Sequence, residues 1–133
     1  MKTKGFHKRE RIVSRKLIEQ LFSHTGSHSK AAFPVRAVYR LEPCDGETEA
    51  APVQLLISVS KRHFKHAVDR NRVKRQLREA YRHHKALLDG CVPEGHRLAV
   101  AFIWLTPNHQ ASQLIEKRVI ALLKQIGETI ANK

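Results

Sequence analysis

Acid is what this chain lacks. Twelve Asp and Glu stand against twenty-five Lys and Arg, a formal charge of +13 on 133 residues. Ordinary surfaces intersperse both signs to limit self-repulsion, so the imbalance points to a polyanionic partner. The few acids are also badly placed for chemistry. Glu42, Asp45, Glu47 and Glu49 share one loop, and no spacing elsewhere suits a carboxylate metal site or a general acid–base pair. The protein itself is therefore expected to be non-catalytic. Cysteine is equally scarce. Cys44 and Cys91 stand alone, which excludes the close pairing of zinc ligands and makes reduced thiols the expectation. No apolar run reaches the ~18–20 residues of a membrane span, and the charged N-terminus is unlike a secretory signal. A soluble cytoplasmic protein that does not engage a membrane follows. Rings are few: five Phe, two Tyr and one Trp.

What is present is charge in two blocks. Residues 1–16 carry a net +6 and residues 61–85 a net +8, while the other 92 residues sum to −1. That distribution is the footprint of nucleic-acid binding on an otherwise ordinary chain. The length suits one domain over residues 1–133, and 41% apolar residues suffice for one core. Residues 1–11 read as a basic, flexible tail.

Periodicity supplies the elements. Ser14 to His24 carries Leu17, Ile18, Leu21 and Phe22 at helical spacing. Thr25 to Lys30 reads as a loop or short irregular strand. Phe33 to Leu41 alternates as a strand, with Phe33 in the core set and Pro34 suggesting a start at a sheet edge. The acidic stretch Glu42 to Pro52 reads as a hairpin loop before a strand at Val53 to Ser60. A helix from about Arg70 to Leu88 follows, with Asp69 as candidate N-cap and Gly90 and Pro93 beyond its end. Arg97 to Leu105 is nearly all apolar, as for a strand covered on both faces. Asn108 to Ile130 places Leu114, Ile115, Val119, Leu122, Leu123, Ile126 and Ile130 on one side of a last helix. The expected architecture is a two-layer α+β sandwich of about four strands in a mixed sheet with three helices, in the order α-β-β-β-α-β-α.

The middle helix has two faces. Val73, Leu77, Ala80, Tyr81, His84, Leu87 and Leu88 fall within an arc of ~120°, a core stripe. Asn71, Lys74, Arg75, Arg78, Arg82 and Lys85 share a neighbouring arc, with Arg72 further round and Arg70 at the N-terminal edge of the helix. Acids able to pair with this ridge are almost absent, Glu79 with Arg75 or Arg82 excepted, so a merely solvated face would be self-repelling. At about 1.5 Å per residue the helix is roughly 27 Å long and spans several phosphates. Arginine predominates within it, which suits forked contacts to phosphate. Single-stranded nucleic acid is held by a cationic groove with aromatic platforms. Phe22, Phe33, Tyr39 and Phe64 are the ring candidates, and Tyr39, flanked by Arg36 and Arg40, leads them. The nine histidines form no convergent ligand set, and no metal site is expected on the protein.

The run Ser58-Val-Ser-Lys-Arg, then Ala67-Val68, Arg70-Asn71-Arg72, Lys74-Arg75 and Arg78-Glu79, resembles the signature of the bacterial ribonuclease P protein component. The resemblance implies a cofactor protein for a catalytic RNA that removes the 5′ leader of precursor tRNA. It implies RNA contacts at Lys61, Arg62, Arg70, Asn71, Arg72, Lys74, Arg75 and Arg78, to which the basic run adds Lys65. It implies leader contacts at Phe22 and Tyr39, with Ile18 standing where the family pattern has an aromatic, and Arg36 beside Tyr39 on the strand joins them as a candidate cation. It further implies Mg²⁺ held mainly by the RNA subunit, ribonuclease P RNA and precursor tRNA as partners, no obligate protein partner, and a left-handed βαβ crossover. The alternative is a non-enzymatic RNA-binding protein, a ribosomal protein or RNA chaperone of related fold, which has no reason to keep that spacing.

Overall fold

The most apolar segment of the chain lies at the centre of its sheet. In the computed structural model, which describes residues 18–19, 22, 27–43, 53–88, 90–93 and 95–131, four strands are ordered β1-β2-β4-β3. They are β1 (His28–Ala32), β2 (Val35–Pro43), β3 (Val53–Ser58) and β4 (His96–Trp104). The β1–β2 and β2–β4 pairs are antiparallel, and β3–β4 is parallel. β4 therefore has a neighbour on each side and a cover on each face. Leu98, Val100, Phe102 and Trp104 belong to the main core, whereas Ala99 and Ala101 form a small cluster with Val38 on the other face. Ile18, Leu56 and Ile103 pack against that cluster. A strand buried on both faces reads as a continuous apolar run, as expected.

Two helices fill the main core. α1 (Ala67–His84) buries Val73, Leu77, Ala80 and Tyr81, and α2 (Ser112–Ala131) buries Ile115, Val119, Leu122, Leu123, Ile126 and Ile130. Each large side chain so enclosed stabilises the fold by about 1.5–3 kcal/mol. Tyr81 meets Phe102 edge to face, 6.3 Å between ring centroids. The α2 register matches the sequence pattern closely, with Leu114 half-buried at its margin. Gly127 lets α2 approach the chain after α1: a Cβ there would lie 3.2 Å from Cys91 Sγ.

Several boundaries differ from expectation for identifiable reasons. α1 starts at Ala67 with His66 as its cap residue and no side-chain cap bond. Asp69 lies inside the first turn, where its charge suits the helix dipole. Leu87, assigned to the core stripe, is 38% exposed, because residues Lys85–Leu88 tighten into a 3₁₀ turn that advances each residue by more than the α-helical angle. Pro34 does not mark a sheet edge. It sits in the two-residue turn between β1 and β2, where its missing N–H costs no ladder bond. β2 and β3 are not hairpin partners, since β4 lies between them. The 44–52 connection and most of the expected 14–24 helix fall outside the described residues, although Ile18, Glu19 and Phe22 are helical. Among the described residues no helix is long and apolar enough to cross a membrane.

Candidate nucleic-acid interface

The basic turn between β3 and α1 is built from the inside. Val59 and Phe64 are 8% and 6% exposed, so the turn is tethered to the core at two points. Ser60 closes it: its carbonyl accepts the N–H groups of His63 and Phe64 at 3.1 and 3.2 Å, and its Oγ accepts that of Arg62 at 3.0 Å. Arg70 reaches back from α1 and donates through one guanidinium nitrogen to the carbonyls of Phe64 and Lys65, at 2.8 and 3.0 Å. His109 completes the brace. Its ring stacks on Phe64 at 4.6 Å and its Nε2 lies 3.2 Å from Asp69 Oδ1. Asp69 thus ties α1 to the segment before α2 and does not cap its own helix.

This framework leaves Lys61, Arg62 and Lys65 exposed. On α1, Asn71, Arg72 and Arg75 are exposed, while Arg70, Lys74 and Arg78 are half-buried, their stems lying along neighbouring surface. Among the described residues, no hydrogen bond or ion pair engages Arg72, Lys74 or Arg75. Glu79 is the acid nearest the ridge, and Arg82 takes it at 2.7 Å, as the sequence suggested. The hydrogen bond from Arg82 holds the Glu79 carboxyl below the usual range, assisted by the positive charges of Arg82, His83 and Arg78 and opposed by slight burial.

Beside the ridge runs a groove of about 570 Å³ between α1 and the start of α2, lined by Arg72, Arg75, Gln76, Glu79, Ser112 and Glu116 among others. Gln76 spans its floor, donating to the Gln110 carbonyl at 3.1 Å and to Ser112 Oγ at 3.0 Å. His84 Nε2 and Glu116 Oε1, 3.0 Å apart, add a further link between the helices.

The residues assigned to a leader are divided by strand parity. Arg36, Val38 and Arg40 point to the sheet face away from α1 and α2, where Ile18 packs beside Val38, Ala99 and Ala101. Arg36 is exposed and donates to Ser29 Oγ at 3.4 Å. Across the same face Glu42 accepts from Arg40 at 2.6 Å and lies 3.8 Å from Arg97. Phe22 is 44% exposed. Tyr39 lies on the other face, within the helix-side core and only 2% exposed. Its ring offers no free surface to a base, so the stacking role expected for it is corrected to packing. Phe64 is likewise enclosed. Phe33, expected in the core, is 63% exposed at the β1–β2 turn, because the strand ends before it and alternation stops with the strand.

Sequence reasoning missed His109 and Gln76 as braces. Their partners stand 40 and 34 or 36 residues away, and no local pattern records such contacts. Among the described residues no three His, Cys, Asp or Glu side chains come together as metal ligands. Cys91 is a free, half-buried thiol, and Cys44 lies outside the described residues.

Strand order, register and the basic helix α1 define an α+β protein with a braced cationic turn at one sheet end. The family model for ribonuclease P matches residues 6–127. The ribonuclease P protein component of Porphyromonas gingivalis is 35% identical over 129 residues, covering 96% of this chain and 90% of that one. That of Chlorobium phaeobacteroides is 30% identical over 130 residues, covering 92% and 88%. The chain belongs to the ribonuclease P protein family, whose members are subunits of a ribonuclease. Solved structures agree in fold. The protein from Thermotoga maritima superposes with a TM-score of 0.65 at 20% identity, over 87% of this chain and 96% of that one. A Staphylococcus aureus mutant described as defective in mRNA degradation gives 0.66 at 23% identity, over 90% and 89%.

Proposed function

We propose that this chain is the protein subunit of a ribonuclease P holoenzyme in the cytoplasm. It binds the catalytic RNA through the turn at Lys61, Arg62 and Lys65 and the α1 ridge at Asn71, Arg72, Lys74, Arg75 and Arg78. Arg70 shapes the turn as well as adding charge. Precursor tRNA presents its single-stranded 5′ leader to the sheet face that carries Ile18 and Arg36, with Phe22 nearby in the chain. Mg²⁺ is held mainly by the RNA, and the RNA performs the hydrolysis. A third helix over residues 14–24 and a left-handed β3–α1–β4 crossover belong to this reading.

The observation that carries it is the set of unengaged cations Arg72, Lys74 and Arg75 on the helix that follows a braced basic turn. Cations left without internal partners at that density repel one another in the free protein, and a polyanion relieves that repulsion while counterion release drives association. The test is cleavage of a precursor tRNA at low Mg²⁺ by purified protein, ribonuclease P RNA, or both. Accurate cleavage by the pair and none by RNA-free protein is expected. Metal-dependent cutting by the protein alone, or no stimulation of the RNA, overturns the proposal.

A further inference from the structure

We propose that Phe33 is a stacking platform for an unpaired base of RNA docked on the basic end of the sheet, an inference that rests on the RNA-binding reading above. Tight turns favour Gly, Pro, Asn, Asp and Ser, yet a phenylalanine sits here with 63% of its surface open. A lone exposed ring is unremarkable in itself. Its setting is what matters.

The Pro34 carbonyl next to it accepts the Leu105 N–H at 2.9 Å, so the turn is fixed to the chain leaving β4. Register places the turn at the end where the basic segment begins: Val35 pairs with Trp104, and Ser58 pairs with the adjoining Ile103. β2 and β3 are two strand spacings apart, roughly 10 Å. A strand of RNA crossing this end thus meets the Phe33 turn and then Lys61 and Arg62. Both helices also start here, with their electropositive ends. Of the other rings at this end, Phe64 is 6% and Trp104 1% exposed, His109 is stacked on Phe64, and His63 and His66 are the smaller imidazoles of the basic turn itself, half-buried and exposed. Cationic surface combined with an accessible, pre-positioned ring is the arrangement that holds single-stranded nucleic acid.

The base comes either from the RNA subunit or from the precursor leader, and the assay separates them. Phe33→Trp adds a second tryptophan to a chain whose own Trp104 is buried. Its emission is followed on titration with ribonuclease P RNA alone, with leader-bearing precursor tRNA, and with mature tRNA. Quenching by the RNA subunit assigns the base to it, and quenching by precursor but not mature tRNA assigns the base to the leader. Phe33→Ala should bind the same RNA about 5- to 150-fold more weakly and Phe33→Leu nearly as weakly, with unfolding curves like that of the native chain. Native-like affinity of Phe33→Ala with no quenching in Phe33→Trp, while the native chain binds RNA, overturns the platform and leaves the RNA-binding reading intact. So does weaker binding that merely follows a loss of stability, without quenching. Failure of the native chain to bind any of these RNAs overturns both.

Discussion

Arg70 separates a brace from a contact. Its neighbours Arg72 and Arg75 have no internal partners, whereas Arg70 donates to the Phe64 and Lys65 carbonyls at 2.8 and 3.0 Å. Hydrogen bonds from charged donors contribute about 1.5–3 kcal/mol. The Lys65 carbonyl is exposed and water replaces much of that bond, so the half-buried bond to Phe64 dominates. Arg70→Ala should therefore lose about 1.5–2 kcal/mol of stability, or roughly 5–10 °C in Tm at this chain length. Arg72→Ala and Arg75→Ala should stay within about 0.5 kcal/mol of the native chain. RNA binding sorts the same residues differently. Each phosphate contact removed at Arg72 or Arg75 should reduce the slope of log K against log salt by about 1. Arg70→Ala should weaken binding chiefly by loosening the turn that presents Lys61 and Arg62. Urea unfolding of the three variants, paired with a salt series on ribonuclease P RNA, gives both readouts. If Arg70→Ala unfolds with the native chain while Arg72→Ala or Arg75→Ala unfolds early, the brace is misassigned.

The remaining expectations concern single groups. Tyr39 Oη is buried without a hydrogen-bond partner among the described residues, so Tyr39→Phe should leave stability unchanged or raise it by up to about 1 kcal/mol; a selective loss of affinity for leader-bearing precursor would instead restore Tyr39 to the leader site. Gly127→Ala should gain about 0.8–1 kcal/mol of helix propensity but crowd Cys91 Sγ at 3.2 Å. The alanine should therefore stabilise more when combined with Cys91→Ala than alone, and additive unfolding free energies would exclude the clash. The Glu79 carboxyl is held low by Arg82, so its contribution is present above the ordinary carboxylate pKa of about 4.3 and fades as pH falls through its lower folded value. Being exposed, the pair should contribute under about 1 kcal/mol, and Glu79→Gln should converge with the native chain once the pH has fallen below that folded value; a gap that persists there would mean packing, not charge.

Periodicity carried the parts of the fold that depend on one element meeting a core. The α2 stripe, the buried set on α1 and the double-faced β4 were legible because each is a local rhythm of apolar residues. Contacts between distant segments were not. Asp69 looks like a cap from its position before a helical run, yet its partner is His109, 40 residues on. The insertion of β4 between β2 and β3 also leaves no local trace, since both flanking strands alternate as hairpin partners would. Phe33 and Tyr39 share a parity in sequence, and only the turn at Pro34 takes Phe33 out of the core. The basic motif was legible in full, but not the division of labour within it. Arg70 reads as one more cation until its guanidinium is found on two carbonyls.

The topology explains why that motif gathers at one end. A parallel pair such as β3 and β4 requires a connection that crosses the length of the sheet. α1 must therefore leave from the C-terminal end of β3, and α2 leaves from the C-terminal end of β4, which is the same end. Both helices consequently start there, and their unpaired N–H groups add partial positive charge to Lys61, Arg62 and Lys65. Self-repulsion among these charges would loosen an unsupported loop. The Ser60 turn, the Arg70 bonds and the Asp69–His109–Phe64 stack hold it in one shape, so little order remains to be imposed when an anion binds. Among the described residues, the two acids within the basic segment are already engaged. Glu79 is occupied by Arg82 and Asp69 by His109, and neither is left to neutralise the basic turn.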